Sequence, residues 1–173
     1  MKSISSYLLL VLILVINTKG FSQQKTQVKW LTVEQMDKLY TKNPKKILWK
    51  VYSKDCHYCH DFEEKVLKIP AIATYINQNY YPVLLDAFDA SPVTFAGHTY
   101  ESKDKMNPMA THLLKGTIKF PTLVFVDEQL KMLNFLQGYY EAPNIEMVLH
   151  YFGDNAYKTV SWNDFQTNFA KKK

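Results

Sequence analysis

The sequence predicts an α/β fold in which a central mixed sheet is flanked by helices. Ile47-Leu48-Trp49-Lys50-Val51-Tyr52 and Tyr81-Pro82-Val83-Leu84-Leu85 are nearly continuous apolar runs of strand length, the pattern of strands covered on both faces. Helical periodicity fills the chain between them, and strand, helix, strand in that order implies a parallel pair with a right-handed crossover. Two later runs, residues 118–127 and 132–136, are joined around Glu128-Gln129. So short a connection implies an antiparallel hairpin, which makes the sheet mixed.

At the amino terminus, Lys2 precedes an uninterrupted apolar run from Leu8 to Ile16, followed by Asn17-Thr18-Lys19-Gly20-Phe21-Ser22. The charged start, the apolar core too short to span a bilayer comfortably and the small residues Gly20 and Ser22 are the marks of a cleavable secretory signal peptide over residues 1–22. The alternative, an uncleaved anchor, is opposed by that length. About 150 residues then remain, enough for one domain with its own core. The formal charge of +5 includes Lys2 and Lys19, so the mature chain carries 5 − 2 = +3. All 21 basic residues are Lys. Without Arg the chain lacks the bidentate forks that favour phosphates and base edges, which argues against a nucleic-acid partner.

Along the chain, Thr32-Val33-Glu34-Gln35 has the capping-box pattern, and Asn43-Pro44 stops the short helix it opens. The first apolar strand runs directly into Cys56-His57-Tyr58-Cys59-His60. From there Cys59, Phe62, Val66 and Ile69 recur at helical spacing until Pro70, and Ile72 and Ile76 mark a second helix ending near Asn79. After the second strand, residues 89–108 look like an insertion, with a small hairpin over 93–100 turning near Gly97. Residues 108–115 are expected to be helical and to stop at Gly116. Pro143 opens a helix with Ile145, Val148, Leu149 and Phe152 on one face. In the tail, residues 154–173, Ser161 is a candidate N-cap before Trp162, Phe165 and Phe169 at helical spacing, and packing onto the domain is the expectation for that apolar stripe.

The five residues from Cys56 to His60 fit more than one chemistry. C-x-x-C-H is the attachment signature of a c-type haem, and C-x-x-C at a helix start is that of a thiol-disulfide centre. A cytochrome would use His60 as an axial ligand with Met106, Met109 or His112 opposite, but it has no need of a strand leading into the motif or of a parallel sheet. Zinc finds neither a second C-x-x-C nor a His pair at finger spacing. As a structural staple the two cysteines would close a loop worth only about 2 kcal/mol. A pair placed this way is more useful as chemistry.

Three features in order resemble one family: the strand entering Cys56-His57-Tyr58-Cys59, Phe120-Pro121-Thr122 opening a later strand, and Gly138-Tyr139 before the last domain helix. From residue 47 to 152 the chain resembles the thioredoxin-fold family, and is similar to exported thioredoxin-like proteins of the type common in Bacteroidetes. The resemblance implies a thioredoxin-like domain over residues 23–153, carrying an added amino-terminal helix and the 89–108 insertion. It implies a thiol-disulfide oxidoreductase in which Cys56, at a helix N-terminus that favours a thiolate, is the nucleophile and Cys59 the resolving thiol. The redox-active disulfide Cys56–Cys59 then stands in place of any cofactor. His57 and Tyr58 would tune the potential, and His60 would either join them or be a solvated residue of the first turns. In the family the proline matching Pro121 is cis and lies against the cysteines, so Phe120 and Pro121 are the expected substrate-binding residues.

The chain departs from the family at one position. Thioredoxins usually carry a buried Asp six residues before the first cysteine, where this chain has Lys50, and the Lys that often faces that Asp is replaced by Leu84. Lys50 is therefore a third redox-tuning candidate, the alternative being that it snorkels to the edge and does nothing to the thiols. The resemblance further implies a periplasmic setting, exported proteins with disulfides or thiols as substrates, and a membrane electron-transfer partner. Reductase, oxidase and isomerase share these residues. A second class of function, a binding module or chaperone using the groove beside Pro121, remains open.

Overall fold

The computed structural model of the protein describes residues 26–102 and 105–171. The expected signal peptide, residues 1–22, lies outside the described residues, as do the last two lysines of the tail.

Thr32 opens helix α1 (Val33–Lys42) with a complete capping box: its hydroxyl accepts from the Gln35 N–H while the Gln35 side chain accepts from the Thr32 N–H. Strand β1 (Ile47–Tyr52) follows and runs into helix α2 (His57–Phe62), which continues as a π-helical segment (Glu63–Leu67). The even helical spacing of Cys59, Phe62, Val66 and Ile69 gave no sign of this widened turn, which buries the adjacent pair Val66 and Leu67. Pro70 does not simply break the chain; it starts helix α3 (Pro70–Asn79), its missing N–H falling where no helical acceptor exists. Strand β2 (Tyr81–Asp86) lies parallel to β1, with Lys50 opposite Leu84.

The insertion contains a hairpin of β3 (Val93–Phe95) and β4 (His98–Tyr100), turning at Ala96 and Gly97, both at positive φ. It is tied to α1 by the Ala96 N–H, which donates to Asp37 at 2.9 Å, and the Phe95 ring meets Trp49 edge-on at 6.0 Å. Asn107 caps helix α4 (Pro108–Leu114), which ends at Lys115 and Gly116, again both at positive φ.

The next strand begins later than the sequence suggests. Strand β5 spans Thr122–Val126: its last pair with β1 is Val51 and Thr122, and the residue that would face Tyr52 is Pro121, which has no N–H to donate. Residues 118–121 lie beyond the sheet, and Ile118 is exposed. The turn to β6 (Met132–Gln137) is also longer than Glu128-Gln129, with the Asp127 carboxylate accepting from the Gln129 and Lys131 N–H groups at 2.9 Å each. The sheet order is β2-β1-β5-β6, with β5 antiparallel to both neighbours. Helix α5 (Ala142–Gly153), a 3-10 turn (Ala156–Lys158) and helix α6 (Trp162–Lys171) complete the chain. Rings of α6 rest on the preceding helix: Trp162 and Phe165 lie 5.0 and 5.1 Å from Tyr151.

Side chains alternate across a strand, and this sorts the core into two layers. Ile47, Trp49 and Val51 join Val83, Val124 and the α1, α4 and hairpin residues on one face. Leu48, Leu123 and Phe125 join Phe62, Ile76, Ile145 and Leu149 on the other. Both faces are covered, which is why β1 reads as an unbroken apolar run. Lys50 shares the parity of Leu48, so it points toward the layer that holds α2.

Candidate active site

The turn after β1 delivers Cys56 to the N-cap of α2, where its N–H donates to the Ser53 carbonyl at 3.2 Å. The Cys56 sulfur in turn accepts from the Cys59 N–H at 3.0 Å. This is the contact that stabilises negative charge on sulfur at a helix start, where N–H groups lack helical partners. Cys56 and Cys59 are joined in a disulfide, and the two sulfurs are not equivalent: Cys56 is half-buried while Cys59 is 4% exposed. An incoming thiol or disulfide therefore meets Cys56 first.

The remaining sequence-derived candidates fall at the same end of the sheet with one qualification. His57 and Tyr58 are exposed, their rings edge-to-face at 6.0 Å, and His60 is also exposed. His57 lies 3.7 Å from Asp61 one turn on, and the Lys65 ammonium, hydrogen-bonded to Asp61 at 2.8 Å, holds that carboxyl below the usual range. Because Val51 pairs with Thr122, antiparallel pairing puts Pro121 and Phe120 at the β1 end that leads to Cys56. The Phe120–Pro121 peptide bond is cis, and the Pro121 carbonyl accepts from the Gly138 N–H at 2.7 Å. Pro121 is buried and Phe120 half-buried, its ring meeting the exposed Phe88 edge-on at 5.9 Å.

Lys50 is the qualification. It does not snorkel: it is 4% exposed and its ammonium forms an ion pair with Glu63. The ammonium also stands 5.3 Å above the Trp30 ring, and the Trp30 indole donates to the second Glu63 oxygen at 3.3 Å. Sequence reasoning missed Glu63 and Trp30. A signal existed for Glu63, since it follows Cys59 by four residues and shares its helix face, and a buried lysine on the facing strand requires an anion.

Beside the cysteines, Lys54 pairs with Asp86 at 3.2 Å, and that hydrogen bond raises the lysine's pKa. These two residues with Tyr52, Asp89 and Asn107 line a cavity of about 320 Å3 at the strand ends. A larger apolar cavity, about 420 Å3, is walled by Leu136, Tyr140, Tyr151 and Trp162 and includes none of the candidate site residues.

A family model described as a thioredoxin-like domain matches residues 33–153. Among solved structures, a thioredoxin-fold protein from Helicobacter pylori is 19% identical with a TM-score of 0.59, covering 75% of this chain and 82% of that one. A thioredoxin from Thermus thermophilus is 15% identical with a TM-score of 0.54, covering 72% and 85%. A DsbH oxidoreductase is 16% identical with a TM-score of 0.50, covering 76% and 90%. No curated protein sequence matches the chain.

Proposed function

Because the chain belongs to the thioredoxin-like family, we propose that its Cys56-His57-Tyr58-Cys59 centre exchanges disulfides in exported proteins. The observation that carries this reading is the disulfide at the strand-to-helix junction, one sulfur reachable and the other buried. The Cys56 thiolate attacks a substrate disulfide, a mixed disulfide forms, and one substrate thiolate leaves. Cys59 then loses its proton, attacks Cys56 and releases the second substrate thiolate, which is protonated from solvent. Run in reverse, the same steps oxidise a dithiol. Phe120 and Pro121 receive the extended substrate segment, and His57 and Tyr58 bias the stability of the reduced state.

The amino-terminal charge and apolar run support export, and a periplasmic site of action is the reading the family resemblance adds to it. Among the described residues no helix is long and apolar enough to cross a membrane. A periplasmic reductase draws its electrons from a membrane partner. The chemistry needs no cofactor beyond the cysteine pair.

Equilibration of the mature protein in glutathione buffers, followed by thiol alkylation and intact mass, tests the proposal. Both cysteines must titrate together as one two-electron couple, and the midpoint assigns the direction. Cysteines that never alkylate, together with a mass increment for haem or a chelator-sensitive metal, would overturn it. A second reading, client holding, is favoured by the exposure of Tyr58, Phe88 and Ile118, all at the disulfide end of the sheet. Undiminished suppression of client aggregation by Cys56→Ser would support holding, and its loss with that substitution would tie the surface to exchange.

A further inference from the structure

We propose that the ion pair between buried Lys50 and half-buried Glu63 sets the reduction potential of the Cys56–Cys59 couple, with Glu63 cancelling a cation that would otherwise favour the thiolates. The inference rests on the oxidoreductase reading above. Lys50 lies on the α2 side of β1, in the strand that runs into Cys56, and is 4% exposed. Glu63 follows Cys59 by one turn on the same helix face, and its N–H donates to the Cys59 carbonyl. The pair therefore spans the strand and the helix that together place the two sulfurs. Trp30 encloses it from the amino-terminal segment and brings no charge. The other charges of the redox helix are engaged along its outer surface, Asp61 with Lys65 and His57, Glu64 with Lys68.

Reduction breaks the sulfur–sulfur bond and leaves two thiols. Two glutathione thiols supply the electrons and protons and join as glutathione disulfide. Whatever fraction of the protein thiols ionises is new negative charge beside the pair. An uncompensated charge beside the cysteines acts on that ionisation, more strongly from the buried Lys50 ammonium than from the partly exposed Glu63 carboxylate, whereas a close pair of opposite charges acts weakly. Removing one member at a time must therefore move the couple in opposite directions.

Wild type, Glu63→Gln, Lys50→Met and the double variant are equilibrated in glutathione buffers at pH 8 and quenched by alkylation. Glu63→Gln leaves Lys50 uncompensated; it is expected to shift the equilibrium about tenfold toward the dithiol, a potential about 30 mV less negative. Lys50→Met is expected to shift it the other way, and the double variant to return to within about twofold of wild type. A purely structural pair would destabilise both redox forms alike and leave the equilibrium unmoved. Absent shifts, or shifts of one sign, overturn the inference. Should Glu63→Gln fail to fold around an unpaired lysine, Lys50→Met compared with Lys50→Met/Glu63→Met reads the same quantity, because removing the lone carboxylate must restore the dithiol. If wild type itself shows no two-electron couple, the oxidoreductase reading fails. A normal wild-type couple with unmoved variants sinks this inference alone.

Discussion

Cys56 and Cys59 differ in access, and the difference assigns them different failures. Cys59 is buried beneath the first turn of α2, while the Cys56 sulfur stands at its rim and accepts the Cys59 N–H. Cys56→Ser is expected to abolish turnover of a disulfide substrate. Cys59→Ser keeps the attacking thiolate but removes the internal exit, so it is expected to accumulate mixed disulfide, visible as a mass increment that reductant removes. Gly138 is a second position where one atom matters. It sits at φ 95°, and an added Cβ would lie 3.0 Å from Lys119 Cε. The lysine end can move aside, but the backbone cannot, because the Gly138 N–H holds the Pro121 carbonyl. Gly138→Ala is expected to cost about 1–3 kcal/mol in urea unfolding, the range for a side chain forced into a sparsely populated conformation.

Elements that announce themselves locally were readable in the sequence, and α1 shows why. Its start depends on Thr32 and Gln35 alone, each satisfying the other's N–H. Thr32→Ala is expected to lower stability by about 1 kcal/mol, measured as a shift of the urea midpoint at unchanged slope. The same locality made β1, the Gly97 hairpin and the helix after Pro143 legible. The start of β5 was not, because Ile118 and Phe120 are apolar enough for a strand, and it is the register that puts Pro121, without an N–H, opposite Tyr52 and stops the pairing at Thr122. The turn after β5 is set by the Asp127 side chain catching Gln129 and Lys131, a preference that a residue count does not show. At the site, the cysteines and the Phe120-Pro121 step were legible as motif. Lys50 was visible as an oddity, but its meaning required a partner thirteen residues on across the strand-helix gap, together with Trp30 from the other side.

For the molecule as a whole, tyrosines set the alkaline limit of stability. Burial raises the pKa of Tyr40, Tyr52, Tyr75, Tyr80 and Tyr157, with neighbouring carboxylates adding in the same direction. Two of them hold the α3–α5 side together: the Tyr75 hydroxyl donates to Asp154 at 2.5 Å and the Tyr80 hydroxyl to the Leu149 carbonyl at 2.6 Å. A raised tyrosine favours the neutral form in the folded state. Its contribution is complete below the unfolded value near 10 and is lost as pH rises beyond it, since the unfolded chain releases protons that the folded one retains. Acid acts through carboxylates of the opposite sense. Lys65 holds Asp61 low, and Ser91 hydrogen bonds hold Asp89 low, so what they contribute is present above pH about 4 and is lost as pH falls. Asp89 is exposed and Asp61 half-buried at the surface, so solvent screens much of their share. The melting temperature is therefore expected to decline gently on the acid side and to fall steeply above pH 10. Tyr80→Phe isolates the share of the most deeply buried of these tyrosines. It removes the buried hydroxyl and the bond it donates to the Leu149 carbonyl, so stability at pH 7 should drop by about 1 kcal/mol. The loss between pH 9 and pH 11 should shrink relative to wild type, because the variant has no hydroxyl there to ionise on unfolding. Thermal melts of the two proteins across that range check the argument, and an unchanged alkaline slope would assign the loss to other groups.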